Sequence, residues 1–361
     1  ATCLQVWNRA VGGSYDNMSQ TGQEGWGVFG EATVHLTDTL DLTLGLRHHD
    51  QTNLSQTMRR IPGVTPDKPL DPTQFHIGDP FVFEPAAPLS ERDFDELTQR
   101  LALQKQFTDN IMGYIGYSEG FRPGGISAPV IDGVRTERPF GPSMLENTEI
   151  GMRTDLAGGK IRFNWTIFET VWAGLQANSV VIHPTTGEQL PQLETKNVGS
   201  AEAKGIEIEL TFAPVDSLEI NLGLGLLDTA YTDVLPGTYS GHILITPGDT
   251  EFEQAPDKSY TLGIQHTASL TGGGTFTTRF DYNYQGQFWR DAPFLRVSGY
   301  DAVPAGFDEA GDWGILNMRL VYEPADGNWQ ASIFGTNLTD EYMLNSGFFH
   351  GIWGFDFATV G

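Results

Sequence analysis

The feature that most constrains this chain is a two-residue alternation of apolar and polar side chains, repeated segment after segment along most of its length. Successive side chains of a strand point to opposite faces. Each such segment therefore builds a ribbon with one apolar and one polar side. Trp26, Val28, Ala32, Val34 and Leu36 share one parity, and Gly27, Glu31, Thr33, His35 and Thr37 share the other, with Phe29 the exception. Leu42, Leu44 and Leu46 then alternate with Thr43, Gly45 and Arg47. The unit returns at 144–156, 160–172, 204–212, 218–228, 275–288 and 312–323, and more weakly at 91–107, 111–121, 258–270 and 328–337. With a part-strand at 2–10, the pattern predicts about 13 strands.

The connections sort by length. Short ones at 38–41, 108–110, 157–159, 213–217, 271–274 and 324–327 carry the turn residues Asp, Asn, Gly and Pro. Long ones lie at 11–24, 55–90, 122–143, 173–199, 233–256 and 289–311. Short and long alternate without a skip. This is an antiparallel up-and-down meander with tight turns at one end and large loops at the other. A soluble sandwich or propeller is the alternative, but its strands usually run ~5–6 residues. Longer strands and sorted loops are expected of a transmembrane β-barrel. Trp26, Trp165, Tyr284, Trp313 and Trp329, near strand ends, suit its interfacial girdles.

Composition narrows the function. The net charge of −25 leaves nothing to neutralise phosphates, so nucleic acid is excluded as a partner. The single cysteine, Cys3, excludes a disulfide scaffold and a cysteine-based zinc site. The chain contains no run of eighteen apolar residues from which a transmembrane helix could form. Its 43 glycines in 361 residues, about 12% against a usual ~7%, fit a turn-rich β protein.

Four segments carry a family resemblance. They are YIGYSEGFRPGGI (Tyr114 to Ile126), LENTEIGMRTDL (Leu145 to Leu156), NVGSAEAKGIEIEL (Asn197 to Leu210) and FGTNLTDEYM (Phe334 to Met343). In this order and spacing they resemble the barrel of TonB-dependent outer-membrane receptors, over residues 25–361. The resemblance implies an all-β, antiparallel up-and-down transmembrane barrel of 22 strands. Residues 1–361 are then expected to be a partial barrel domain, approximately strands 9–21, forming an open sheet, with the plug domain and final strand absent. It also implies the bacterial outer membrane, with lipid bilayer and lipopolysaccharide around the wall and the TonB complex as partner through the absent plug. The ligand implied is scarce and bulky: a ferric siderophore, cobalamin or an oligosaccharide. A passive porin and a soluble adhesin remain as alternatives.

The motifs also have a local reading. Gly124 and Gly125 are expected to allow positive φ where the chain leaves the sheet, and Pro123 removes a ladder donor there. Glu149, Glu207 and Glu209 fall on the polar parity, where they could pair with Arg153, Arg162, Arg279 and Arg319.

No catalytic motif occurs: G-x-S-x-G, H-E-x-x-H, P-loop and C-x-x-C are all missing, so no enzyme and no cofactor is expected. His48 and His49 are adjacent strand residues on opposite faces and cannot easily grip one ion. Asp249, Glu251, Glu253 and Asp257 form one acidic run, and Asp301, Asp308, Glu309 and Asp312 another. Hard carboxylates suit Ca²⁺, which makes Asp249, Glu251 and Glu253 weak metal candidates, against a solvated acidic loop. Arg122, Arg135, Arg138, Phe140, Trp289, Arg290, Phe294 and Arg296 are the ligand-binding candidates. Guanidinium and aromatic groups above a pore can hold an anionic chelate or a sugar face.

Overall fold

The computed structural model describes residues 3–8, 17–62, 81–85, 90–132, 134–235, 238–240, 243–244, 247, 251–289, 309–342, 344–350 and 355–360. Among these residues every regular element is a strand, and no helix is long and apolar enough to cross a membrane. Thirteen strands follow one another along a single antiparallel sheet, each paired to the one before it. They are β1 (Cys3–Asn8), β2 (Asn17–Thr37), β3 (Leu40–Pro62), β4 (Ser90–Thr108), β5 (Ile111–Arg122), β6 (Ser143–Leu156) and β7 (Ile161–Ala173). Then come β8 (Gly199–Val215), β9 (Leu218–Val234), β10 (Lys258–Ser269), β11 (Thr275–Gln285), β12 (Trp313–Glu323) and β13 (Ala331–Gly335). Phe81–Pro85 adds a fourteenth strand against the far end of β3. Among the described residues β1 and β13 do not pair with each other, and the sheet is open.

The register turns the alternation of each strand into rows across the whole sheet. Val34, Leu42, Leu103, Ile115, Ile150, Ile167, Ile206 and Leu226 stand opposite one another, strand by strand, from β2 to β9. No second sheet covers this row among the described residues, and Ile115, Ile150 and Ile167 are each about half exposed. A water-soluble sandwich would bury such a face, since exposed apolar patches rarely exceed a few hundred Å². Toward the long loops the face ends in charge, at Glu119, Glu146, Glu169, Lys204 and Asp228. There Lys204 Nζ lies 3.3 Å from Glu169 and 3.1 Å from Glu202. Toward the short turns it ends in aromatics, where Trp329 meets Tyr322 edge-on at 5.4 Å.

The opposite face is a polar ladder. Thr33 and Thr43 share a hydrogen bond of 3.0 Å, and Arg100 bonds Glu31 at 3.0 Å. The expected glutamate–arginine pairs take other partners. Arg162 pairs with Asp155, which stands directly opposite it, and Arg279 pairs with Asp281 two residues along its own strand. Arg153 lies over the Tyr114 ring, and Glu149 packs above Gly116. Same-face neighbours in adjacent register lie closer than any partner further along the wall.

Two features exceed the sequence reading. β2 and β3 pair from Gly25↔Gln51 out to Asn17↔Arg59, beyond the alternating stretch. That extension is mostly polar on both sides, so periodicity is silent while the backbone ladder continues. The stretch after β13, to which the alternation assigns no strand, contains the hairpin Leu344–His350 with Phe355–Val360.

Substituting Ile167→Arg, in the middle of the apolar row, is expected to destabilise the full-length protein in lipid vesicles by about 2–4 kcal/mol. Asn164→Arg, on the polar face of the same strand, is expected to change little. Urea unfolding followed by tryptophan emission measures both.

Candidate ligand-binding site

The long connections gather at one end of the sheet and fold on each other. After β5 the ladder stops at Arg122, and Pro123 and Gly124 leave it. Neither Gly124 nor Gly125 adopts positive φ, contrary to the expectation. The requirement is spatial. A Cβ on Gly124 would strike the Phe140 carbonyl, and one on Gly125 would meet the Phe140 ring at 2.8 Å. The segment then doubles back, Gly125–Ser127 pairing with Arg138–Phe140 and Val130–Ile131 with Val134–Arg135.

A second block rises between β7 and β8. Gln176–Ile182 pairs with Gln189–Asn197 and with Thr238–Ser240, which in turn pairs with Ile243–Leu244. Val180, Val181 and Val198 are buried in it. The two blocks are joined by polar side chains. Arg138 Nη1 donates to both oxygens of the buried Glu194 carboxylate, at 2.8 and 2.9 Å. The Gln192 amide pairs with the backbone of Val130 in both directions, at 2.7 and 3.0 Å. His183 reaches Asp132 at 3.1 Å.

Asn197, the first residue of the third motif, is the hub beneath them. Its Oδ1 accepts from Gly141 N at 2.7 Å, and its Nδ2 donates to the carbonyls of Gly141, Pro142 and Gly174. Gly199 follows at φ +145°, where a Cβ would land on the Asp233 carbonyl. The asparagine and the glycine of this motif thus have structural reasons: one ties loop ends together, and the other admits β9.

The ligand-binding candidates divide. Arg122 is exposed at the end of β5. Arg138 is engaged by Glu194, and Phe140 covers Gly125. Arg135 lies in a two-residue strand. Trp289 lies on Phe288–Trp289, and its carbonyl accepts from Gln254 N at 2.8 Å. Arg290, Phe294 and Arg296 lie outside the described residues. Of the metal candidates, Asp249 lies outside them too, while Glu251 is exposed and Glu253 bridges to Trp289. Among the described residues no three His, Cys, Asp or Glu side chains are grouped to hold an ion. His48 contacts Trp26 and His49 contacts Phe121, on opposite faces as expected.

What the sequence reading missed is an aromatic row on the polar face. Gly120, Leu145, Trp172, Ala201 and Tyr231 stand opposite one another from β5 to β9. Phe252, from the next loop, packs on Trp172 and Tyr231 at 5.5 and 5.0 Å. Its neighbour Glu253 bridges to Trp289, so this row links the two groups of candidates. The available signal was parity: Trp172 and Phe168 are apolar residues on the polar parity of β7.

A family profile described as TonB dependent receptor-like, beta-barrel, matches residues 4–338, and the chain belongs to that family. Among solved structures it is similar to the ferric yersiniabactin uptake receptor FyuA from Yersinia pestis, with a TM-score of 0.68 and 17% identity. It is also similar to the closed form of the ferric-catecholate import receptor Fiu from E. coli K12 (0.65, 14%) and to the siderophore receptor PiuA from Acinetobacter baumannii (0.62, 16%). Each match covers 96% of this chain and 45, 44 and 42% of the other. The chain thus spans less than half the length of these structures, and at such identities the likeness is one of fold.

Removing the arginine with Arg138→Ala strands a buried carboxylate, and a hydrogen bond to a charged group contributes about 1.5–3 kcal/mol. Hydrogen exchange of 176–197 is expected to accelerate while exchange in β6–β8 stays unchanged. The double change Arg138→Met with Glu194→Leu is expected to restore much of the protection.

Proposed function

We propose that this chain is the greater part of the barrel wall of an outer-membrane receptor that imports a scarce, bulky ligand, using energy delivered through TonB. The observation that carries the reading is the division of one sheet. It has an exposed apolar row on one face, a polar ladder on the other, and every elaborated loop at one end. Only a closed wall satisfies all backbone groups inside a bilayer when strands do the crossing. In a wall of 22 strands, the plugged size class, the thirteen strands take positions 9 to 21. The apolar row then meets lipid in the outer membrane and the polar ladder lines the lumen. The TonB complex engages a plug domain that belongs to the rest of the receptor. The chain performs no covalent chemistry and needs no cofactor.

A ferric siderophore is the ligand class we favour, ahead of cobalamin or an oligosaccharide. Three structures of similar fold are described as ferric yersiniabactin, ferric-catecholate and siderophore receptors. Exposed Arg122, with Trp289 and the sequence candidates Arg290, Phe294 and Arg296, supplies charge and π-surface for an anionic chelate. Arg138 and Phe140 act from behind, holding the first loop against the second. The acidic runs are solvated loop surface.

Cells carrying the complete receptor are expected to accumulate ⁵⁵Fe from at least one member of a ferric-chelate panel. Accumulation should cease when TonB is deleted or the proton-motive force is collapsed. Uptake that persists without TonB makes the protein a passive pore, and the absence of uptake from every chelate removes iron as the cargo.

A further inference from the structure

The loop end of the polar face holds a cavity of about 270 Å³, lined by Gly120, Arg122, Leu145, Trp172, Leu175 and Gln176 among others. Three observations give it a chemical character. Its floor is apolar and aromatic, because Leu145 and Trp172 stand beside Gly120 in the register of β5, β6 and β7. Its opening comes from Gly120: a Cβ there would meet no atom within 4 Å, and its φ is ordinary. This glycine is therefore demanded neither by close packing nor by backbone conformation. What it leaves is space. The third observation is charge. Arg122 lines the same cavity, and no carboxylate lies within ion-pair distance of it among the described residues. In a chain of net charge −25, Arg100, Arg138, Arg162 and Arg279 have acidic partners, and Arg47 and Arg153 lie over the rings of Phe29 and Tyr114; among the described residues Arg122, like Arg319 in the wall, has neither kind of partner.

Size sets what fits. Pockets for whole drug-sized ligands run to ~300–1,000 Å³, whereas a cavity of ~150 Å³ lined by apolar side chains accommodates benzene. A volume of about 270 Å³ thus suits one ring and its substituents, not a whole ligand. The Gln176 amide is occupied, since its Nε2 donates to the carbonyls of Arg122, Pro123 and Gly141. That fastens the cavity wall and leaves recognition to the indole and the guanidinium. An indole beside a vacant guanidinium favours a flat π-system carrying negative charge. A neutral sugar would stack on the indole but leave the guanidinium without its counter-charge.

We propose that this cavity is a subsite for a single aromatic arm bearing an anionic oxygen, a phenolate or catecholate, presented by the imported ligand. Trp172 and Leu145 take the ring, Arg122 takes the oxygen, and Gly120 provides the room. The inference rests on the receptor reading above and deepens it by naming the part of the ligand that is read.

The probes are the ⁵⁵Fe complex of 2,3-dihydroxybenzoate, the aliphatic hydroxamate chelate ferrioxamine, and maltotriose. All are measured for binding to outer membranes carrying the complete receptor. The catecholate complex is expected to bind saturably and to be displaced by salicylate but not by maltotriose. Gly120→Phe fills the cavity and is expected to weaken that binding ~10-fold or more, and Arg122→Gln and Trp172→Leu to weaken it comparably. Gly30→Ala, in β2 and away from the cavity, also adds one methyl into open space and is expected to bind like the wild type. Heat-modifiable migration on gels checks that each variant still assembles.

If the catecholate complex fails to bind the wild type, or binds equally well to Gly120→Phe, the subsite is wrong. If ferrioxamine or maltotriose instead binds and is lost in Gly120→Phe, the aromatic-anion assignment is likewise overturned. In either case, TonB-dependent uptake of another ligand would leave the receptor reading standing. The loss of all TonB-dependent uptake would remove that reading itself.

Discussion

The antiparallel backbone ladder is the constraint on which the rest of this structure depends. Thirteen strands paired in sequence fix the height of every side chain relative to its neighbours, and the two-residue period fixes its face. A slip of one residue in any pairing would move an apolar row to the polar side. Ile150 illustrates the coupling. It stands opposite Ile115 on one side and Ile167 on the other, so the three hold their height only if both pairings are in register. The charged residues that close the band, Glu146, Glu169 and Lys204 among them, act from the other direction. Sliding Lys204 to the middle of the apolar band of a bilayer-spanning wall would cost about 2–4 kcal/mol, and a glutamate less.

This explains why the wall was legible in the sequence and the mouth was not. In the wall every strand meets the same two environments, so side chains report faces directly, and Leu42, Ile167 and Leu226 all speak in the same period. Above the band the two environments merge. β2 and β3 continue as a mostly polar ribbon along which the backbone pairing persists, and such pairing leaves no trace in residue type. The loop hairpins are invisible for the same reason. They are held by single long-range contacts, such as Gln192 to Val130 and Arg138 to Glu194, that link residues more than fifty positions apart.

The glycines show how a correct residue can carry a wrong reason. A glycine pair after an aromatic strand end reads naturally as a site of positive φ. Here Gly124 and Gly125 are needed because a returning segment, centred on Phe140, passes too close for a side chain. Gly120, four residues earlier, is different again: its surroundings would tolerate a side chain. One short motif thus contains four glycines: Gly116 lies beneath the Glu149 side chain, Gly124 and Gly125 make room for the returning chain, and Gly120 borders open space. The sequence cannot separate these cases, because the deciding neighbour lies across the sheet or in the next loop.

Trp172 makes the same point about function. Along β7 the polar parity reads Arg162, Asn164, Thr166, Phe168, Thr170 and Trp172, and a large indole at its end breaks the pattern. In the membrane wall proposed above, a break on the apolar side would cost stability and be hard to keep. A break on the polar side costs little, since lumen positions bear mainly on selectivity. Departures from alternation on that face are therefore where binding chemistry can accumulate, and they become denser toward the loops. Phe168 lies over Gly205 within the ladder, where its ring meets the protein's own backbone. Trp172, two pleat repeats higher, has Phe252 on one side and the Arg122 cavity on the other. The same kind of exception is structural at one height and available to a ligand at the next, and the backbone register decides which.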